Sequence, residues 1–432
     1  MTGSTGARLA PAVWALTRIA LLLCVTKVIV LPGPDVTSDV SVIYRGWSEV
    51  LRSGTYPMSD VTWQYPPLAA LAVLSPALLP FLDYTSAFFV LVLLCDGLVL
   101  GLLLRAGRGK GRSAAGMWVW VAGVPLLGTT AYARYDLMVT AVAVAGLLAG
   151  VRHPRVLGVL AAAGALLKVW PALILAGTAP GSRTRRAWTA AAVTAAGLAL
   201  GCALALPGAF AFLGFQRDRG TEVESLGALV FHVARASGWP GRVELHYGSL
   251  EFLGPGVELV STVSLALSVL ALGWLLVWRL RARTFRASTP ADAAFTAVLL
   301  FTTTSRVISP QYMLWLVGLA AVCLVFRDSG MGLPAGLVLL ATGVTQAEFP
   351  FGFDNVVAGD ATGVALVFLR NGLLVAATLI ACRRLWRRTA PGAPGDDDET
   401  GSGSGDGIAA GRRRGVGAPR FLSRVRGPWQ AA

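Results

Sequence analysis

The feature that most constrains this chain is a series of apolar stretches close to twenty residues long, which recur along most of its length. The hydrocarbon core of a bilayer needs about 20 apolar residues per helix, and inside it every backbone polar group must find a partner within the protein. Of the 432 residues, 55% are hydrophobic and only 14% are charged, too few to cover a globular surface in water. These features predict a polytopic membrane protein and exclude an ordinary soluble enzyme.

Basic clusters lie between the apolar stretches, and cytoplasmic loops of membrane proteins are enriched in Lys and Arg. We therefore expect these clusters and both termini in the cytoplasm and the protein in the plasma membrane. The formal net charge of +14 does not indicate nucleic-acid binding, because no polar domain interleaves basic with aromatic residues. The clusters are 105–112, 183–186, 279–286 and 383–388.

The spacing of the apolar stretches predicts an all-α fold, a polytopic transmembrane helical bundle with about 10–13 membrane segments, some of them short or re-entrant. Residues 1–388 are expected to form this domain, with two large extracytoplasmic loops at 32–65 and 207–255. The tail 389–432 is rich in Gly, Ser, Asp and Arg and is expected to be disordered and cytoplasmic. The expected spans are 11–31, 85–104, 114–131, 137–151, 187–206, 257–278, 291–304, 312–326, 333–349 and 363–382.

Three segments do not fit simple spans. Residues 40–51 of the first outer loop carry apolar side chains at helical spacing, which predicts a helix lying in the membrane interface. Residues 66–82 are short and contain four prolines, so they are expected to be re-entrant or juxtamembrane. Residues 155–183 are basic at both ends and too short for two crossings, which predicts a re-entrant hairpin with its apex near Lys168.

The cysteines and histidines give no sign of a metal site. Cys24, Cys95, Cys202, Cys323 and Cys382 all fall in apolar segments without paired spacing, so we expect neither disulfides nor zinc. The three histidines are scattered over different loops. No metal and no cofactor is therefore expected.

Ionisable groups within or beside a membrane are costly, so each one is a functional candidate. In this chain they gather in the loops expected outside and in the deep hairpin, as for a cavity that opens to the extracytoplasmic side. The candidates, with neighbouring polar residues, are Asp35, Asp39, Asp60, Tyr65, Arg134, Asp136, Lys168, Arg217, Arg219, Glu222, Glu224, Arg306 and Gln311.

Several short motifs follow one another along the chain. They are Asp39-Val-Ser-Val-Ile-Tyr44, Gly54-Thr-Tyr56-Pro57, Tyr65-Pro66-Pro67-Leu68, Leu167-Lys168-Val-Trp-Pro171, Arg217-Asp-Arg219-Gly-Thr-Glu222-Val-Glu224-Ser225 and Ser305-Arg306-Val-Ile-Ser309-Pro310-Gln311-Tyr312. Together they resemble the family 87 glycosyltransferases, the polyprenol-phosphate-mannose-dependent mannosyltransferases of actinobacteria in the GT-C membrane class. Some members carry histidine within the segment Pro310-Gln311-Tyr312, where this chain has none.

The resemblance implies transfer of a hexosyl group, with mannose as the expected sugar, from a polyprenyl-phosphate donor to a lipid-linked or polysaccharide acceptor. It implies Asp39 as the base of an inverting single displacement, with Lys168 and Arg306 holding phosphate. Further substrate contacts are expected from Arg217, Arg219, Gln311 and Tyr65. The chemistry of the residues agrees, because a phosphate leaving group needs a cationic cradle and no general acid.

Structural roles remain open for each candidate. Asp39 follows Ser38 before an apolar helix, so it has the position of a helix N-cap. In that case Asp60 or Asp136 would be the base. Arg134 and Asp136 are expected to pair with each other at a helix end. Lys168 has the alternatives of snorkelling or of a structural ion pair.

The same applies to the loop residues. Arg217 and Arg219 have the alternative of a solvated face, Asp35 and Asp60 are expected to be solvated, and Tyr65 is expected to shape a rigid turn with the prolines that follow it.

A different class of function is a membrane transporter or flippase for a lipid-linked or polysaccharide substrate. Such proteins tend to show internal repeats and ionisable groups on both sides of the midplane. This chain shows neither an obvious repeat nor that distribution. The glycosyltransferase interpretation is therefore preferred.

Overall fold

The computed structural model describes residues 3–217 and 219–390. The predicted tail beyond residue 390 lies outside the described residues. Helices dominate the fold. They are α1 (Gly3–Val25), α2 (Arg45–Arg52), α3 (Ala69–Leu74), α4 (Tyr84–Ala106), α5 (Ala115–Leu126), α6 (Asp136–Gly150), α7 (Pro154–Leu167), α8 (Ser182–Ala205), α9 (Phe212–Arg217), α10 (Leu229–Ala236), α11 (Val257–Arg281), α12 (Thr289–Thr304), α13 (Tyr312–Val325), α14 (Gly332–Gln346), α15 (Phe353–Ala358) and α16 (Ala361–Thr389).

Four of these helices, α4, α8, α11 and α16, are long and apolar enough to cross a bilayer. Shorter apolar helices, among them α5, α6, α7 and α13, complete the bundle. The predicted helical membrane bundle is therefore confirmed. Most predicted spans match a helix to within a few residues.

Helix α13 lies at the centre of the bundle, and nearly all of its side chains are buried. It packs against α5, α6, α12 and α14. Small residues allow close approach between helices, as is usual where lipid provides no hydrophobic drive to association. A Cβ at Gly116 would lie 2.2 Å from the carbonyl oxygen of Ala321, so α5 and α13 touch through their backbones.

A buried ion pair joins α1 to α4. The Arg18 Nε donates to Asp96 Oδ2 at 2.8 Å, and both side chains are fully buried. The Asp96 carboxylate also accepts hydrogen bonds from Trp14, Trp120 and Tyr132, at 2.7–2.8 Å. Both oxygens of this carboxylate accept hydrogen bonds, so the cluster connects α1, α4 and the α5 region.

The first large loop, 32–65, contains a helix where one was predicted, as a π-helical turn over Asp39–Tyr44 that continues into α2, and its position in the membrane interface stays a prediction. The second outer loop differs from the prediction, because it contains a small sheet besides helices. Strands β1 (Thr221–Glu222), β2 (Arg242–His246) and β3 (Ser249–Leu253) form it. The strand order is β1-β3-β2, and both pairings are antiparallel.

The deep hairpin has the predicted break. Helix α7 ends at Leu167, Lys168 is extended with φ −160° and ψ 131°, and a 3₁₀ turn follows over Trp170–Leu175. Pro171 follows the break, where a missing amide hydrogen is tolerated. The segment 66–82 likewise forms only α3 and a 3₁₀ turn over Ser75–Leu78.

Candidate functional site

A cavity of about 710 Å³ lies between the two large loops, 32–65 and 207–255, and the helices next to them. Its wall comes from both outer loops, from the break after α7 and from the loop between α12 and α13. Six of the seven predicted site residues line it: Asp39, Tyr65, Lys168, Arg219, Arg306 and Gln311. The structure therefore brings together residues that are far apart in the sequence.

Arg217 is the exception among the predicted residues. It is the last residue of α9, its side chain is exposed, and it is not among the described residues that line the cavity. The residue after it, Asp218, lies outside the described residues. A contact between Arg217 and a substrate headgroup stays a prediction.

Asp39 forms an ion pair with Arg134, which also lines the cavity. The Arg134 Nη2 lies 2.8 Å from Asp39 Oδ2, with 12% and 28% of the two side chains exposed. Arg134 also donates to the carbonyl oxygens of Val36 and Ala133, at 3.2 and 2.9 Å. Burial raises the pKa of the Asp39 carboxyl, and the positive charge of Arg134 opposes this shift. The site therefore holds a carboxylate that is more basic than usual and fixed in direction.

Two alternatives from the sequence are wrong. Asp39 is not a helix cap, because Ser38 precedes the helical turn and no side chain caps it. Arg134 and Asp136 do not pair with each other, because Arg134 turns to Asp39 while Asp136 turns to Lys168. Two residues apart at a helix start, their side chains point in different directions.

Lys168 forms the second ion pair of the site. Its Nζ lies 2.7 Å from Asp136 Oδ1, which also accepts from Trp315 Nε1 at 2.6 Å. Four aromatic rings surround the ammonium group at 5.1–5.7 Å from their centres. The rings belong to Tyr65, Tyr135, Tyr312 and Trp315. This geometry stabilises a positive charge at the floor of the cavity.

Arg219 and Arg306 lie side by side in the cavity wall. Arg306 donates to the carbonyl oxygens of Arg219 and Gln216, at 2.7 and 3.1 Å. It also contacts Ser261 Oγ at 3.3 Å. Within the described part of the chain, these contacts of Arg306 are all to neutral oxygens. Its positive charge is therefore available to an anion in the cavity.

Glu222 connects the sheet to the loop that carries Arg306. Its carboxylate accepts from the backbone nitrogen of Ile308 at 2.6 Å and from Ser309 Oγ at 3.1 Å. Burial raises the pKa of the Glu222 carboxyl. Since its oxygens are engaged with this loop, Glu222 fixes the wall rather than offering a free base.

The other acidic candidates have local partners. Asp60 accepts from Trp47 Nε1 at 2.7 Å and from Thr62, which makes it a loop-stabilising residue and not a solvated one. Asp35 is half exposed and pairs with Lys27 at 2.7 Å.

Several residues of the site were not found by sequence reasoning. The aromatic cage of Lys168 and the buried Glu251 behind Arg219 are two examples. The first gave no usable signal, because its rings come from three separate segments, around Tyr65, around Tyr135 and in α13. For the second, the alternation of polar and apolar residues in 249–253 would have indicated a strand. No cluster of three or more His, Cys, Asp or Glu side chains that could hold a metal ion occurs in residues 3–217 and 219–390.

Comparison with known protein families identifies a family for this chain. The family model of glycosyltransferase family 87 matches residues 63–310, more than half of the chain. The match covers the cavity wall from Tyr65 to Arg306. Comparisons with curated proteins and with solved structures gave no match.

Proposed function

The chain belongs to glycosyltransferase family 87, and on that premise we propose that it moves a hexosyl group from a polyprenyl-phosphate donor to an acceptor hydroxyl. Mannose is the expected sugar, and the acceptor is a lipid-linked or polysaccharide glycan. The reaction takes place on the extracytoplasmic side of the plasma membrane, with both termini in the cytoplasm. The match is to a family of glycosyltransferases, so the transporter alternative is not adopted.

One observation carries this proposal: Asp39, which is fixed by Arg134, lines the same cavity as Arg219 and Arg306. A single displacement needs one base near the acceptor and positive charge near the leaving group. The cavity offers both. It also has the size expected for a substrate pocket, since such pockets occupy about 300–1,000 Å³.

In the proposed step, the acceptor oxygen attacks C1 of the donor sugar and its proton passes to Asp39. The bond between C1 and the phosphate oxygen breaks, and the electron pair leaves with polyprenyl phosphate. Because the acceptor attacks from the face opposite the leaving group, the anomeric configuration inverts. The leaving group is already an anion, so no general acid is required.

The cationic side chains divide the remaining roles. Arg306 and Arg219 bind the phosphate, while Lys168 adds positive charge from the floor of the cavity, reduced by its pairing with Asp136. Gln311 and Tyr65 lie in the wall and contact the sugars. Arg217, exposed on α9, is assigned to a headgroup outside the cavity.

The test is transfer of radiolabelled mannose from polyprenyl-phosphate mannose to membrane lipid extract by purified protein. Asp39→Asn should lower transfer by about 10²–10⁴-fold, the usual contribution of a general base. Asp35→Asn, in the same loop, is the matched control, because Asp35 does not line the cavity and, among the described residues, pairs with Lys27 and Thr37. It should transfer at the wild-type rate.

Two results would contradict the proposal. Full activity of a correctly folded Asp39→Asn protein would show that the base lies elsewhere, and Asp136 and Asp60 would be tested next. Transfer from a nucleotide sugar, but not from the polyprenyl-phosphate sugar, would exclude the proposed donor.

A further inference from the structure

Strand β3 carries a buried carboxylate, Glu251, that has no role in the step described above. Its side chain is completely buried. One oxygen, Oε2, accepts from the backbone nitrogen of Gly220 at 2.9 Å and lies 3.2 Å from His246 Nδ1. The other, Oε1, accepts from Ser249 Oγ at 3.1 Å. The carboxylate is thus tied both to the β2–β3 hairpin and to the segment next to Arg219.

Arg219 lies directly against this carboxylate. Its Nε is 3.8 Å from Glu251 Oε1, and its Nη2 donates to Ser249 Oγ at 2.8 Å. On its other side, the backbone carbonyl of Arg219 accepts from Arg306. Both the side chain and the backbone of Arg219 are therefore fixed before any substrate arrives.

The hairpin that carries Glu251 also covers the cavity. Leu245, Tyr247, Gly248, Ser249 and Leu250 all line it. At the tip, a Cβ on Gly248 would lie 3.4 Å from Thr62, so the hairpin meets the first outer loop. Arg219 is thus held by the same element that closes the cavity.

We propose that Glu251 is a positioning residue, which directs the Arg219 guanidinium into the cavity to bind the phosphate of the donor. The inference rests on the proposed donor. An arginine has several rotatable bonds, so an arginine that is held in place loses less freedom when it binds. Glu251 also offsets the repulsion between Arg219 and Arg306, which face the same cavity.

A merely structural role would make Glu251 a support for the sheet, independent of Arg219. A double-mutant cycle separates the two roles, because it measures whether one residue acts through the other. The variants are Glu251→Gln, Arg219→Ala and the two combined. Glu251→Gln preserves the size of the side chain and an acceptor for Gly220, so the sheet is retained.

We expect Glu251→Gln to raise the KM for the polyprenyl-phosphate sugar about tenfold and to leave the KM for the acceptor unchanged. The double variant should have the same donor KM as Arg219→Ala alone. A donor KM in the double variant that equals the product of the two single effects would overturn the proposal. So would an equal change in both KM values, or a lower donor KM, in Glu251→Gln.

Glu244→Ala is the matched control. Glu244 lies directly opposite Glu251 in the sheet register, but its side chain is exposed and pairs with Arg242. It should leave both KM values unchanged. A rise in donor KM equal to that of Glu251→Gln would show a general disturbance of the hairpin and overturn the proposal.

A binding measurement distinguishes failure of this inference from failure of the proposed function. The wild type, Glu251→Gln, Arg219→Ala and the double variant are titrated with polyprenyl phosphate, and with polyprenol as the uncharged reference. Glu251→Gln and Arg219→Ala should each weaken binding of the phosphate alone, without further loss in the double variant. This result would support positioning even if no sugar were transferred, whereas independent losses would reject it.

Discussion

The ion pair between Arg134 and Asp39 predicts how the pH dependence of transfer responds to a single substitution. As the proposed base, Asp39 must be ionised, so activity is expected to fall as pH drops through its pKa. Burial raises this pKa and Arg134 opposes the rise. Replacing Arg134 with Gln removes the opposing charge, so the acid limb of the kcat/KM profile should move to higher pH.

The size of the effect follows from the geometry of the pair. Two unit charges about 4 Å apart attract by about 4 kcal/mol at an effective dielectric constant of about 20. The nearest atoms are 2.8 Å apart, but 28% of the Asp39 side chain is exposed, which weakens the attraction. If about 1.4–2.8 kcal/mol of the attraction remains, Arg134→Gln should contain about 10- to 100-fold less ionised Asp39 than the wild type, at a pH below the pKa of Asp39 in both proteins.

The assay is radiolabelled sugar transfer at low substrate concentration across a range of pH, with wild type, Arg134→Gln and Arg134→Lys. Arg134→Lys retains the charge and should largely restore the acid limb. Melting temperature in detergent checks the fold, because Arg134 also binds two backbone carbonyls. An acid limb at the wild-type position in a folded Arg134→Gln protein would refute this account of Asp39.

Two further predictions concern buried ion pairs. Asp96→Asn should destabilise the protein by about 3–5 kcal/mol, because it leaves the buried Arg18 without its counter-charge; a clearly lower melting temperature in detergent would show this, and an unchanged one would contradict it. Lys168→Met should lower the melting temperature, because it leaves the buried Asp136 without its counter-charge. It should also lower transfer, because it removes the positive charge of Lys168 from the cavity. Adding Asp136→Asn should restore the melting temperature but not transfer, and recovery of transfer would exclude a role for the Lys168 charge.

The spans and the break near Lys168 could be predicted because they depend on local sequence. Apolar length and the position of basic clusters determine where a helix can cross a bilayer. Basic residues at both ends of 155–183 forced a hairpin, and the structure interrupts the helix at Lys168. The helix beginning near residue 40 followed from its spacing in the same way.

The charge pairing within the site could not be predicted, because it depends on contacts between distant segments. Arg134 and Asp136 looked like partners by their spacing, yet each binds a residue of another element. Nothing in the sequence near Arg134 indicates that Asp39 is its partner.

Other features were missed although the sequence indicated them. Arg18 and Asp96 are ionisable residues inside apolar spans, and such residues usually pair. The strands of the second outer loop are short, but residues 242–246 and 249–253 alternate in polarity around Tyr247-Gly248.

The ion pairs of the cavity also set an order for its assembly during synthesis. Asp39 gains Arg134 only after α4 and α5 have been made, and Asp136 gains Lys168 after α7. Arg219 gains Glu251 later, the loop carrying Arg306 follows, and Phe349 and Phe353 are the last residues added to the wall. Chains emerge from the ribosome N-terminus first. Asp39, Asp136 and Arg219 are therefore each synthesised before their partners. The cavity is therefore among the last parts of the nascent protein to reach charge balance, and a chain truncated before Arg306 would leave its wall incomplete.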